Sequence, residues 1–73
     1  MVEIPFSSID RIIRRGGANR VSKSAIIALQ KGLEEYGVAI AKLAWELANY
    51  AGKKTVEGKD IQLALKKSKS EKY

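Results

Sequence analysis

The sequence between Ser22 and Tyr50 contains no proline, and its apolar residues recur at alternating intervals of three and four. These residues are Ile26, Leu29, Leu33, Tyr36, Ile40, Leu43 and Leu47. The spacing places them on one face of a helix, which at ~1.5 Å per residue would be about 43 Å long. A globule of 73 residues has a diameter of only about 29 Å. The apolar face therefore needs cover from a second chain, which predicts an obligate dimer.

A shorter helix is predicted on the N-terminal side of this long helix. Ser7 followed by Asp10 has the spacing of a capping box, and the glycine pair Gly16-Gly17 provides a stop, because glycine tolerates the left-handed conformation at a helix end. Ser22 is the predicted N-cap of the long helix. The connector between these helices, residues 18–21, is short, and its Arg20-Val21 pair is compatible with an extended conformation.

A second short helix is predicted on the C-terminal side. Gly52 is the stop signal of the long helix, and residues 53–56 form a second short connector whose Thr55-Val56 pair is again compatible with an extended conformation. The last helix is predicted from about Glu57 to Lys67. The sequence thus predicts one all-α domain over residues 1–67 and a polar, frayed tail over residues 68–73.

The charge balance points to a polyanionic partner. Lys and Arg number 14 against 8 Asp and Glu, giving a net charge of +6 and a pI near 9.8. Cys and His are absent, which excludes disulfides, the usual zinc sites and the common bases and thiol nucleophiles of enzymes. We expect no catalysis, no metal and no cofactor. The sequence contains neither a membrane span nor a secretory signal, and we expect a cytoplasmic location.

The helix pattern and the residues at its joints resemble the archaeal histone family over nearly all of residues 3–67. The segments Arg20-Val21-Ser22 and Gly52-Lys53-Lys54-Thr55-Val56 are the most specific to it. The other matching stretches are Ile4-Pro5, Asp10-Arg11-Ile12-Ile13-Arg14, Gly17-Ala18-Asn19, Leu33-Glu34-Glu35, Ala51 and Lys59-Asp60-Ile61.

The resemblance implies a histone fold and an intertwined handshake dimer, in which the first connector of one chain lies beside the second connector of the other. It also implies a chromosome-associated protein that wraps double-stranded DNA with little sequence preference. The partner chain would be a second copy or a related histone, and joined dimers would form tetramers or fibres.

The resemblance further implies which residues contact DNA. Arg11 matches the arginine that enters the minor groove, where the negative potential attracts guanidinium groups. Arg20 and Thr55 match a pair that meets across the dimer with the arginine facing DNA. Lys54 is a candidate for phosphate contact, as are the backbone N–H groups of the helix that Ser22 caps. The remaining members of the predicted basic surface are Arg14, Arg15, Lys23 and Lys53.

Contacts between dimers are implied at Leu47, Tyr50, Asp60 and Leu63, where family members join through a four-helix bundle. The family commonly has His at the Tyr50 position, hydrogen-bonded to the aspartate, so the tyrosine changes the geometry of this contact. Asp60 with Lys53 also resembles a family ion pair, in which the basic partner is usually Arg. Asn49 and Gln62 replace charged residues that could link neighbouring turns of a fibre.

Two other functions remain open from the sequence. The apolar Val38 and the altered Tyr50 region fit a histone-fold dimerisation subunit of a protein or transcription assembly, with DNA binding only incidental. A basic amphipathic helix could also bind a membrane surface, although its apolar face is already needed for folding.

Overall fold

In the computed structural model, which describes residues 4–71, the chain forms three helices joined by two connectors. Helix α1 spans Phe6–Arg15, α2 spans Lys23–Tyr50 and α3 spans Gly58–Glu71. Within residues 4–71 neither connector forms a strand. The prediction of an all-α chain with a short, a long and a short helix is confirmed.

The start of α1 differs from the prediction. The N-cap is Pro5, in an extended conformation and without a side-chain capping bond. Its carbonyl accepts hydrogen bonds from the N–H groups of Ser8 at 3.1 Å and Ile9 at 3.2 Å. Because proline has a fixed φ and no N–H that needs a partner, the helix begins directly after it. Ser7 lies inside the first turn, so the prediction of Ser7 as N-cap is wrong.

The ends of α2 follow the predicted signals. Ser22 is the cap, since its Oγ accepts a hydrogen bond from the N–H of Ala25 at 3.2 Å. At the other end Gly52 has a φ of 80°. The N–H of Lys53 bonds the carbonyl of Ala48, and the N–H of Gly52 bonds that of Asn49, both at 2.9 Å. This is the paired hydrogen-bond pattern of a Schellman motif, which requires the left-handed residue that glycine provides.

Helix α3 is longer than predicted. It continues to Glu71, so the predicted end near Lys67 is too early, and the first part of the predicted tail is helical. At its start, Asp60 in the first turn accepts a hydrogen bond from the N–H of Glu57 at 2.8 Å. A carboxylate in the first turn that bonds the capping residue's N–H satisfies a donor that the helix leaves free.

The chain divides into two compact units, with the boundary between Tyr36 and Gly37. In the first unit Ile9 of α1 is fully buried. The backbone of Ile4 is fixed at two points, because its N–H donates to Glu34 Oε2 at 3.0 Å and its carbonyl accepts from Gln30 Nε2. Gln30 is 3% exposed, so this bond satisfies a buried amide that would otherwise be costly.

In the second unit the core consists of small and branched side chains. Ile40, Ala44 and Ala64 form the buried cluster, and Ala48 is also fully buried. The half-buried residues packed against this cluster are Leu43, Leu47, Ile61 and Leu65. Because alanine side chains are small, they allow the backbones of α2 and α3 to pack closely in this core.

Many large apolar side chains remain uncovered in the single chain. Ile9 is the largest side chain that is completely buried among the described residues. Those left more than a third exposed are Phe6, Ile12, Ile27, Tyr36, Val38, Trp45, Tyr50, Val56 and Leu63. Among residues 4–71, no helix has the length and apolar character needed to cross a membrane.

Candidate nucleic-acid interface

The first connector and the start of α2 carry three of the predicted DNA-binding residues. Arg20, Ser22 and Lys23 are all exposed. An open depression of about 380 Å³ is lined by Ile13, Arg20, Val21, Ser22 and Ala25. The Ser22 hydroxyl satisfies one backbone donor of α2. The other N–H groups of the first turn, at the positive end of the helix dipole, are suited to binding an anion such as phosphate.

The predicted α1 arginines have different surroundings. Arg11 and Arg15 are exposed. The guanidinium of Arg14, in contrast, is bonded within the chain. Its Nε donates to Asp10 Oδ2 at 3.0 Å, and its Nη1 donates to the carbonyl of Asn19 at 2.9 Å. Arg14 therefore joins α1 to the connector that carries Arg20.

The two lysines of the second connector have different surroundings. Lys54 and Thr55 are exposed. Lys53 is held at its ammonium group, which lies 2.8 Å from Asp60 Oδ2 and 3.3 Å from Glu57 Oε1. The predicted ion pair between Lys53 and Asp60 is thus present, and Glu57 extends it. The structure places Lys53 in a brace between the connector and α3, with Lys54 and Thr55 exposed beside it.

Asp60 is the most constrained charged group of this brace. Its side chain is 9% exposed, and its oxygens accept hydrogen bonds from the Lys53 ammonium and the Glu57 N–H. These bonds stabilise the charged carboxylate and hold the pKa of Asp60 below its ordinary value of 3.8. The bond from Lys53 has the largest effect on this pKa, followed by the bond from the Glu57 N–H. In turn, the hydrogen bond to Asp60 raises the pKa of Lys53 above 10.5.

These shifts predict how stability depends on pH. Because the pKa of Asp60 is lower in the folded chain, its contribution is present above about pH 3.8 and is lost as the pH falls through the folded-state value. The contribution of Lys53 is present below about pH 10.5 and is lost at higher pH. We therefore expect Asp60→Asn to lower the free energy of unfolding at neutral pH. We also expect this free energy to fall less steeply between pH 6 and pH 2 (the acid limb) than in the wild type, as measured by denaturant unfolding.

A matched variant separates this effect from the general titration of carboxylates. Glu46→Gln removes an exposed carboxylate from α2 and is expected to leave the acid limb nearly as in the wild type. Equal acid limbs for Asp60→Asn and the wild type would contradict the role given to the brace.

The residues predicted at the contact between dimers all lie in the second unit. Tyr50 is 95% exposed and Leu63 is 46% exposed, whereas Leu47 is half-buried. Asp60 is buried and already bonded to Lys53 and Glu57. A second hydrogen-bonding partner such as the Tyr50 hydroxyl would have to share its carboxylate with them.

Three hydrogen bonds between side chains and the backbone were not predicted from the sequence. The bonds from Gln30 and Glu34 to Ile4 span 26 and 30 residues, and the bond from Arg14 to Asn19 ends on a backbone carbonyl. A backbone donor or acceptor leaves no trace in residue type, so the sequence pattern contains no sign of these bonds. Within residues 4–71, no cluster of acidic side chains has the grouping that a metal ion needs.

Comparison with known proteins places this arrangement in a family. Over 66 residues the chain is 50% identical to one of the subunits of archaeal histone HAN1 from Thermococcus zilligii, covering 90% of this chain and 98% of that protein. It is 38% identical to probable archaeal histone 3 of Methanocaldococcus jannaschii with the same coverage. It is also 36% identical over 64 residues to a histone of Mus musculus, covering 86% of this chain and 61% of that protein.

The family match spans almost the whole described fold. Residues 2–65 match the family described as histone-like transcription factor (CBF/NF-Y) and archaeal histone. This range includes α1, α2, both connectors and the first half of α3. The chain therefore belongs to the family of histone-like transcription factors and archaeal histones, and its fold is the histone fold.

Proposed function

We propose that two copies of this DNA-binding chromatin protein, or one copy with a related histone, form a handshake dimer that wraps duplex DNA with little sequence preference. The observation that carries the proposal is the match of residues 2–65 to the histone family. The net charge of +6 per chain supports it, because neutralisation of phosphates provides most of the affinity in sequence-independent binding. The protein would then be located on the chromosome, in the cytoplasm.

The uncovered apolar side chains support the dimer. Tyr36 belongs to the main apolar face of α2, yet it is 47% exposed in the single chain. Ile12 on α1 and Ile27 on α2 are similarly exposed, at 45% and 46%. Large apolar side chains left open on three-helix chains of this size are typical of interfaces that a partner chain covers.

The DNA contacts would come from both connectors and from α1. In a handshake dimer, Arg20 of one chain would lie beside Thr55 of the other, and the planar arginine fork suits a phosphate oxygen. Arg11 would enter the minor groove. Lys23, Lys54 and the N-terminus of α2 capped by Ser22 would bind phosphates. Arg14 and Lys53 would contribute charge while bonded within the chain.

Contacts between dimers would extend the complex along DNA. The residues assigned to this contact are Leu47, Tyr50, Asp60 and Leu63. The exposure of Tyr50 and Leu63 supports an apolar contact, and Asp60 would hold the start of α3 through its bonds to Lys53 and Glu57.

A second function is favoured by one feature of α2. Val38 is 56% exposed and Trp45 is 46% exposed, and seven residues of separation place them on one side of the helix, away from the main apolar face. A histone-fold subunit of a protein or transcription assembly would use such a side to bind another protein. Recovery of a stable protein partner together with loss of DNA protection would favour this function.

Nuclease digestion of complexes reconstituted on long duplex DNA tests the main proposal. Stacked dimers are expected to protect a ladder of fragments, and isolated dimers a single short fragment. DNA digested as fast as free DNA at saturating protein would contradict wrapping.

A further inference from the structure

Arg14 links the end of α1 to the connector that precedes α2. Its Nε donates to Asp10 Oδ2 at 3.0 Å, and its Nη1 donates to the Asn19 carbonyl at 2.9 Å. Asn19 comes directly before Arg20. The guanidinium is planar, and its donors have fixed relative directions. Because the Asp10 carboxylate orients the guanidinium of Arg14, it also sets the direction of the bond from Nη1 to the Asn19 carbonyl.

Among residues 4–71, few hydrogen bonds hold the backbone of this connector. It follows Gly17, whose N–H donates to the carbonyl of Arg14 at 3.0 Å and whose φ of 113° belongs to the conformations that only glycine adopts easily. Among the hydrogen bonds of residues 4–71, the bond from Arg14 to Asn19 is the one side-chain bond made to the backbone of residues 17–21. The bond from Arg14 therefore restrains the backbone next to Arg20, and Asp10 orients the side chain that makes it.

We propose that Asp10 and Arg14 are positioning residues for Arg20, so that an acidic residue on α1 increases the affinity for DNA. The inference rests on the proposed function, in which Arg20 contacts phosphate. It assigns Arg14 an indirect role, through the Asn19 carbonyl, in place of a phosphate contact of its own. It also gives Asp10 a role opposite to the one its charge alone predicts.

The sign of the effect separates this proposal from simple electrostatics. Removal of a negative charge from a basic DNA-binding protein strengthens binding if the charge acts only through the long-range field. If Asp10 instead orients Arg14, its removal releases the connector, and DNA binding must then order it. The cost of ordering a long side chain at an interface corresponds to about 3- to 10-fold in affinity.

The test compares Asp10→Ala with Glu46→Ala by fluorescence anisotropy on a duplex of mixed sequence. Both variants remove one carboxylate from a helix, and alanine favours helix at both positions. Asp10→Ala is expected to bind about 3- to 10-fold more weakly than wild type, whereas Glu46→Ala binds equally or more tightly. Binding by Asp10→Ala that equals or exceeds wild type would overturn the proposal.

Two further variants make the test specific. Arg14→Lys keeps the charge but loses the fork, so it is expected to weaken binding as Asp10→Ala does; wild-type affinity for Arg14→Lys would contradict the proposal. In an Arg20→Ala background, Asp10→Ala is expected to cause no further loss. An undiminished loss there would show that Asp10 acts independently of Arg20 and would also overturn it.

Circular dichroism and sedimentation verify that each variant keeps its helices and its dimer. If Asp10→Ala does not fold, Arg14→Lys decides the question. Failure of the wild type to bind DNA would instead reject the proposed function, and with it this inference. Salt-dependent wild-type binding with an Asp10→Ala variant of full affinity would reject the inference alone.

Discussion

The affinity of this protein for duplex DNA is expected to fall by about three orders of magnitude when salt is raised from about 50 to 200 mM. Three exposed cations per chain are proposed to contact phosphates: Arg20, Lys23 and Lys54. A dimer would thus neutralise about six phosphates, and the logarithm of affinity falls by about 0.9 per phosphate for each logarithmic unit of salt. Titration of labelled duplex at several salt concentrations measures the slope.

The contribution of Arg20 to this slope is measured with Arg20→Ala. Each dimer loses two phosphate contacts, so the slope should become less steep by about two. The affinity should fall by roughly tenfold or more, because a hydrogen bond to a charged group contributes about 1.5–3 kcal/mol. Lys69→Ala removes the same charge from the exposed surface of α3 and should have a smaller effect. An affinity that does not change with salt would contradict binding by phosphate neutralisation. Equal effects of Arg20→Ala and Lys69→Ala would show that Arg20 is not part of the DNA-binding site.

The second large effect is expected from Tyr36→Lys. Tyr36 is 47% exposed in the single chain, so a lone chain would tolerate a lysine there within about 0.5 kcal/mol. In the proposed dimer the partner covers this position, and a buried charge without a partner costs about 3–5 kcal/mol. This cost approaches the whole stability of a small domain. We therefore expect loss of the folded dimer, measured by sedimentation and by thermal unfolding at several protein concentrations.

The matched control for this substitution is Ala28→Lys. Ala28 is also exposed on α2 but lies off the apolar face, so the same added charge should leave the dimer intact. The wild type should show an unfolding temperature that rises with protein concentration, as folding coupled to association requires. A concentration-independent unfolding temperature, or a stable folded Tyr36→Lys monomer, would contradict the dimer.

The sequence determined the helices and most of their ends, because the signals are local. The cap at Ser22 bonds a residue three positions away, and the stop at Gly52 depends on backbone conformation at that residue. The pair of Lys53 and Asp60 was also predicted, although from family resemblance. The one failed cap, at Ser7, shows that two local signals can compete: Pro5 begins the helix first, and Asp10 bonds Arg14 instead of a capping residue.

The tertiary structure alone decided which backbone groups the polar side chains bond. Gln30 is buried against the carbonyl of Ile4, and Arg14 ends on the carbonyl of Asn19. Backbone acceptors are the same for every residue type, so no pattern of side chains encodes these partners. Packing likewise decided that Ile40 is buried while Tyr36, on the same face of α2, stays exposed. Helical periodicity defines a face, but the neighbouring helices determine how much of that face one chain can cover.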